Sequence, residues 1–148
     1  MAGRKNDSFV DENGNVVYLF DIENQVENVK YVNQAEVIAL TVNGKKVPIV
    51  HIIIDKKAKK ISNEILKLID LSLKKNFSNA NYIPFAYKIR DSFSTSPISG
   101  KRDYEILKYE TEGYYRINDK GDIEIISIIS EESQVNNDLI HSKILVKK

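Results

Sequence analysis

The chain has no cysteine and no tryptophan, and only three prolines, six glycines and one methionine in 148 residues. Without cysteine, disulfide frameworks, thiolate zinc sites and thiol catalysis are excluded. Neither sign of charge dominates: 22 Lys and Arg face 21 Asp and Glu, for a net charge of +1. Nothing global therefore draws the chain to nucleic acid or to an anionic membrane. No apolar run approaches the length of a bilayer span, the opening MAGRKNDSF has no apolar signal core, and Gly3 is misplaced for myristoylation. These absences predict a virion-bound or cytoplasmic protein that is not secreted by a signal peptide and does not meet a membrane.

What is present is ordinary for a globular protein, with 42% hydrophobic and 29% charged residues. A chain of this length forms one domain, here 1–148, and buries roughly two thirds of the surface its unfolded form exposes. Isoleucine, lysine and asparagine dominate with 21, 18 and 14 copies, against 4 Arg. Their A/T-rich codons point to a low-GC bacterium or its phage.

The clearest local signal is EVIALTVNGKKVPIVHIII at 36–54, two β-branched runs around Asn43-Gly44. Both turn residues tolerate the positive φ of a type I′ hairpin. Counting outward pairs Val42 with Lys45, Leu40 with Val47, Ile38 with Ile49 and Glu36 with His51. Pro48 then costs this hairpin no hydrogen bond, but marks a sheet edge or an unpaired spot on its other side. VDENGNVVY at 10–18 and INDKGDIEI at 117–125 share a polar tetrapeptide ending in Gly, which suits a type I turn followed by a left-handed residue. They predict hairpins joining 9–10 to 16–22 and 114–117 to 123–129.

One main helix is expected at about 62–76, where Ile65, Leu66, Leu68, Ile69 and Leu73 make an apolar stripe after Ser62 and before Lys74 and Lys75. The four lysines of DKKAKK sit unfavourably at its positive end and invite an acidic partner. YIPFAYKIR at 82–90 alternates, with Ile83, Phe85, Tyr87 and Ile89 on one face and Tyr82, Ala86, Lys88 and Arg90 on the other; Pro84 suggests an edge strand. YEILKYE at 104–110 reads as a strand, and 23–35 fits either strand or helical turn. The fold class is α+β, a mainly antiparallel sheet built from hairpins with one helix.

Candidate chemistry is sparse. Glu36 facing His51 has the geometry of a base with an orienting carboxylate, set against a plain charge pair at a sheet rim. His141 stands in a polar tail with no ligand at metal spacing. Asp11, Asp119 and Asp122 are turn residues, and NDKGDIE lacks the alternating ligands and final Glu of a calcium loop. Tyr82, Tyr87, Lys88, Arg90, Lys101, Arg102, Tyr104 and Tyr109 interleave rings and cations, but Tyr87 belongs to a core face, so nucleic acid is not expected. Ser99-Gly100-Lys101-Arg102 lacks the first glycine, the hydroxyl after lysine and the following helix of a nucleotide P-loop. No cofactor or metal is expected.

The residual signal is the loop DSFSTSPISGKRD at 91–103, with four Ser, one Thr, Pro97 and Gly100. So long a polar segment in a tight-turned domain serves function or disorder. Its Ser94, Ser96, Pro97, Ser99, Lys101 and Arg102 are the candidate partner contacts. Together with polar ends at 1–8 and a linker and short strand at 131–148, it predicts a non-enzymatic assembly protein. That protein would be a phage virion component such as a head-tail ring or tail subunit, gripping protein neighbours and forming a homo-oligomer or ring. The alternatives are a small nuclease toxin acting through His51 and Glu36, and an immunity or host-interaction protein with one partner.

Overall fold

A computed structural model describes residues 8–92, 107–108 and 110–133. The Asn43-Gly44 turn takes the expected form, with φ of 53° and 77°. It joins β3 (Val32–Val42) to β4 (Lys45–Ile54) in the register counted from the sequence, Glu36 opposite His51 included. The two similar turns are also built alike. Asp11 accepts from the amides of Asn13 and Asn15, Asn118 accepts from those of Lys120 and Asp122, and Gly14 and Gly121 are left-handed. They close β1 (Ser8–Val10) on β2 (Val16–Tyr18), and β6 (Tyr114–Ile117) on β7 (Ile123–Ile126).

The main helix α2 spans Ser62–Asn76, inside the expected limits. It is an element of a crossover. From β4 the chain passes through a 3₁₀ turn, Lys56–Ile61, then α2 and a second 3₁₀ turn, Ala80–Tyr82, before β5 (Ala86–Arg90) pairs parallel to β4. The five-stranded sheet has the order β3-β4-β5-β6-β7 and is mixed, while β1 and β2 form a separate ribbon. The fold is α+β, and the expected mainly antiparallel sheet built from hairpins fits in part: β3–β4, β5–β6 and β6–β7 pair antiparallel, while β4–β5 is parallel and needs a helical connection because a short turn cannot return the chain in the same direction.

Four further readings are corrected. Strand 16–22 stops at Tyr18, because Leu19, Ile22 and Val26 bury one side of a second helix, α1 (Leu19–Glu27). That resolves the ambiguous 23–35 into helix, turn and the start of β3. β4 and β5 are interior strands; Pro84 precedes β5, and Pro48 lies just before the β4–β5 ladder begins at Ile49 and Ala86, where its carbonyl accepts from the Phe85 amide at 2.9 Å. The second hairpin ends at Ile126 instead of 129. Leu107, assigned to a strand from its sequence, is helical. The arm 1–8 apart from Ser8, most of the loop 91–103 and nearly all of 131–148 lie outside the described residues.

Both helices cover one face of the sheet. Ile22 and Val26 of α1 and Ile65, Leu66, Ile69 and Leu73 of α2 pack with Ala35, Val37, Val50, Ile52 and Tyr87. Each large side chain buried there contributes about 1.5–3 kcal/mol. Tyr87 donates its hydroxyl to Asp70 at 3.1 Å, and Asp70 also pairs with Lys74 at 2.8 Å, so the buried polar atoms are satisfied. Leu68, assigned to the apolar stripe, is half exposed. The lysines before α2 do find an acid, since Lys59 meets Asp91 at 2.6 Å.

The opposite face holds Ile38, Leu40, Ile49, Ala86, Tyr114, Leu107 and Ile128. After β7 the chain straps across it: Ile128 is buried there, Ser130 and Ser133 bond reciprocally, and Glu132 accepts from the Thr41 amide at 2.8 Å and its hydroxyl at 3.0 Å.

Candidate functional site

Register places Glu36, His51 and Lys88 side by side on β3, β4 and β5, with Tyr114 of β6 beside Lys88. Arg90 is two residues further along the same face of β5. This row lies on the face away from the helices, so ionisable groups stand where the other face has hydrocarbon. Glu36 is 1% and His51 0% exposed, so the pair is buried within the sheet and is no rim pair.

His51 edges onto the Tyr114 ring at 6.1 Å, and among the described residues neither of its ring nitrogens has a hydrogen-bond partner. Burial, reinforced by the positive charge of Arg90, lowers its pKa to about 3. A neutral, weakly basic imidazole with no bond to Glu36 is not a general base at neutral pH. The base-and-carboxylate reading of Glu36 and His51 is therefore corrected.

On this face Lys88 and Arg90 close a clamp around Glu110. Its Oε1 receives Lys88 Nζ at 3.2 Å and also Arg90 Nη1. Lys88 donates further to the Glu112 carbonyl at 3.0 Å and stands 5.1 Å from the centre of the Tyr114 ring, while the Tyr114 hydroxyl donates to the Glu110 carbonyl at 2.8 Å. Burial alone would raise the Glu110 pKa; the hydrogen bond and charge of Arg90, with those of Lys88, outweigh it and leave the carboxyl ionised below its usual range. Burial and the Glu110 charge push the Tyr114 hydroxyl up, so it stays protonated as a donor. The hydrogen bond and charge of Lys59 lower the Asp91 pKa.

These contacts hold the two feet of one segment. Its exit at Arg90 and Asp91 is tied to Glu110 and Lys59, and its return at Glu110 to Glu112 is tied to Lys88. Ser94, Ser96, Pro97, Ser99, Lys101 and Arg102 all belong to this segment and lie outside the described residues, as do Tyr104, Tyr109 and His141. Lys88 and Arg90 are not a solvated basic rim: their side chains are 19% and 15% exposed and paired. Tyr87 is core, as its alternation implied. Sequence reasoning missed Glu110. Its signal was there, since two cations at i and i+2 on one face of a central strand require a counter-charge. Among the described residues no cluster of three or more His, Cys, Asp or Glu is placed to hold a metal ion, and no helix is long and apolar enough to cross a membrane.

No protein-family model and no curated protein matches the sequence. Solved structures do match in fold. Apo MatB from Rhodopseudomonas palustris is 18% identical with a TM-score of 0.58, over 70% of this chain and 19% of that one. The amide bond synthetase McbA from Marinactinospora thermotolerans is 16% identical with a TM-score of 0.57, over 69% and 19%. An acyl-CoA synthetase from Brucella canis is 22% identical with a TM-score of 0.55, over 72% and 19%. The likeness is one of fold, and the chain spans about a fifth of the length of these structures.

That finding overturns the expected function. The reported neighbours include acyl-CoA and amide bond synthetases, and none is named as a phage, virion or tail protein. The non-enzymatic virion component is withdrawn, with its nuclease-toxin and immunity alternatives; what the chain shares with these structures is a fold.

Proposed function

We propose that this chain is a single accessory domain of a carboxylate-activating, adenylate-forming synthetase. It works with a partner module, joined to it or separate, that supplies the rest of the active site. In the reaction a carboxylate oxygen bonds to the α-phosphorus of ATP, the bond from that phosphorus to the bridging oxygen breaks, and pyrophosphate leaves. A thiol or amine then attacks the acyl carbon, loses its proton, and AMP departs.

The observation that carries this reading is the shared fold with synthetases, together with the clamp that fixes both feet of the 91–109 segment. Two MatB chimeras of this fold were solved with ATP bound, and one amide bond synthetase structure is a lysine-to-alanine mutant. In this chain the clamped segment carries the adjacent cations Lys101 and Arg102, with Lys108 nearer its return. Their role is to neutralise charge developing on phosphate oxygens, for which preorganised cations are suited. The clamp lowers the cost of ordering such a segment by fixing its ends in advance.

The test is to purify the chain with its bound partners from its native cells and measure pyrophosphate release from ATP with a panel of carboxylic acids. The wild-type complex is expected to release pyrophosphate with at least one acid, and Lys101→Ala to lower kcat about 10²–10³-fold with the complex intact. A complex with no such activity, or an activity unchanged by Lys101→Ala, contradicts the reading.

A further inference from the structure

The outward side of α2 is not an ordinary solvated face. Ile65, Leu66, Ile69, Asp70 and Leu73 are buried on one side, so helical periodicity sends Glu64, Lys67, Leu68, Leu71, Lys74 and Lys75 away from the sheet. Leu71 is 64% and Leu68 50% exposed, and three residues apart they form one apolar ridge along the outer side. The core does not need them.

Cations surround this ridge. Lys67 and Lys75 flank it on α2, and Lys57 and Lys60 stand in the 3₁₀ turn that leads into the helix; all are exposed. Lys74 is paired with Asp70 and Lys59 with Asp91, whereas among the described residues no ion pair holds Lys57, Lys60, Lys67 or Lys75. The outward side of α2 itself carries a single carboxylate, Glu64. The net charge of +1, which argued against an anionic membrane, is a sum over the whole chain and hides this local excess.

Shape and charge together select the partner. Two leucines are too few for the fully desolvated centre on which a protein interface relies. They suffice to enter the acyl boundary of a lipid surface already drawn in by charge, because long lysine stems let the ammonium groups stay at the headgroups. Each lysine near an anionic lipid surface strengthens binding about fivefold, so four act together where one has little effect. We propose that Leu68 and Leu71, within the ring of Lys57, Lys60, Lys67 and Lys75, form a docking surface for an anionic lipid interface. The axis of α2 lies in the plane of that interface, and the reverse face of the sheet, with the Glu110 clamp, is turned away from lipid.

Co-sedimentation of the full chain with vesicles tests this. Binding is expected to vesicles made of equal parts phosphatidylglycerol and phosphatidylcholine, with little to phosphatidylcholine alone, and it weakens as salt is raised. Lys67→Glu combined with Lys75→Glu is expected to lower the partition coefficient at least about 100-fold, since each reversal removes an attraction and adds a repulsion. Leu71→Ser is expected to lower it about tenfold. Lys120→Glu, at an exposed lysine of the β6–β7 turn, is expected to leave it little changed, and unfolding midpoints close to wild type show that these surface variants are folded. Equal binding to both vesicles, binding to neither, or a loss on Lys120→Glu as large as that of the double reversal overturns the proposal. Absence of vesicle binding together with loss of an acidic protein from the native complex on Leu71→Ser also overturns it, and assigns the ridge to a protein partner.

Discussion

The two faces of one sheet obey different rules in this molecule. Against the helices, β3, β4 and β5 present Val37, Val50, Ile52 and Tyr87 to a hydrocarbon core whose polar tie is Tyr87 to Asp70. On the reverse, the same strands present Glu36, His51, Lys88 and Arg90, held with Glu110 under Leu107 and the 127–133 strap. Burying ionisable groups is a poor route to stability, because desolvation offsets most of the Coulombic gain. The helix face makes the fold, and the reverse face retains its charges to fix a segment at both ends.

The contrast breaks first under acid. His51 has a folded pKa of about 3 against an ordinary value of 6.5. Between those values the unfolded chain binds the extra proton, so the contribution is whole above pH 6.5 and lost as pH falls toward 3, on the order of 4 kcal/mol. Chemical denaturation at pH 7 and pH 4 is expected to show about two thirds of this loss in wild type and a much smaller one in His51→Leu. On the other face Leu66→Ala is expected to cost about 3 kcal/mol by opening a cavity, with no change in the pH slope. Glu110→Gln leaves Lys88 and Arg90 without that carboxylate. The cost is about 1–2 kcal/mol after allowance for its partial exposure, measured by thermal or urea unfolding. Tyr87→Phe removes the hydroxyl from Asp70, for about 1 kcal/mol in the same measurement. If Tyr87→Phe proved costlier than Leu66→Ala, the helix face would not be the hydrocarbon core described.

Much of this frame was legible in the sequence because it rests on local chemistry. Asn43-Gly44 set a register that held out to Glu36 and His51, and the periodicity of Ile65, Leu66, Ile69 and Leu73 located α2. The parallel β4–β5 pair was harder, since strand, helix and strand were each visible while their relative direction depends on which edge of the sheet the chain returns to. α1 was hidden because Leu19, Ile22 and Val26 follow a strand without a side-chain cap to mark the change. The clamp was hidden for a different reason. Glu110 reads as one carboxylate of Glu110-Thr111-Glu112, and its partners Lys88 and Arg90 are distant in sequence. Function was least legible, as the sequence holds no complete catalytic or nucleotide motif.

We propose that the segment clamped at Glu110 is what meets the partner module, while the helix face serves the fold. Hydrogen exchange read by mass spectrometry, comparing the chain alone with the native complex plus ATP, tests it most directly. The account predicts added protection at 107–112 and along the segment Lys88 and Arg90 clamp, with α1 and α2 unchanged. Protection confined to α1 and α2 would contradict it.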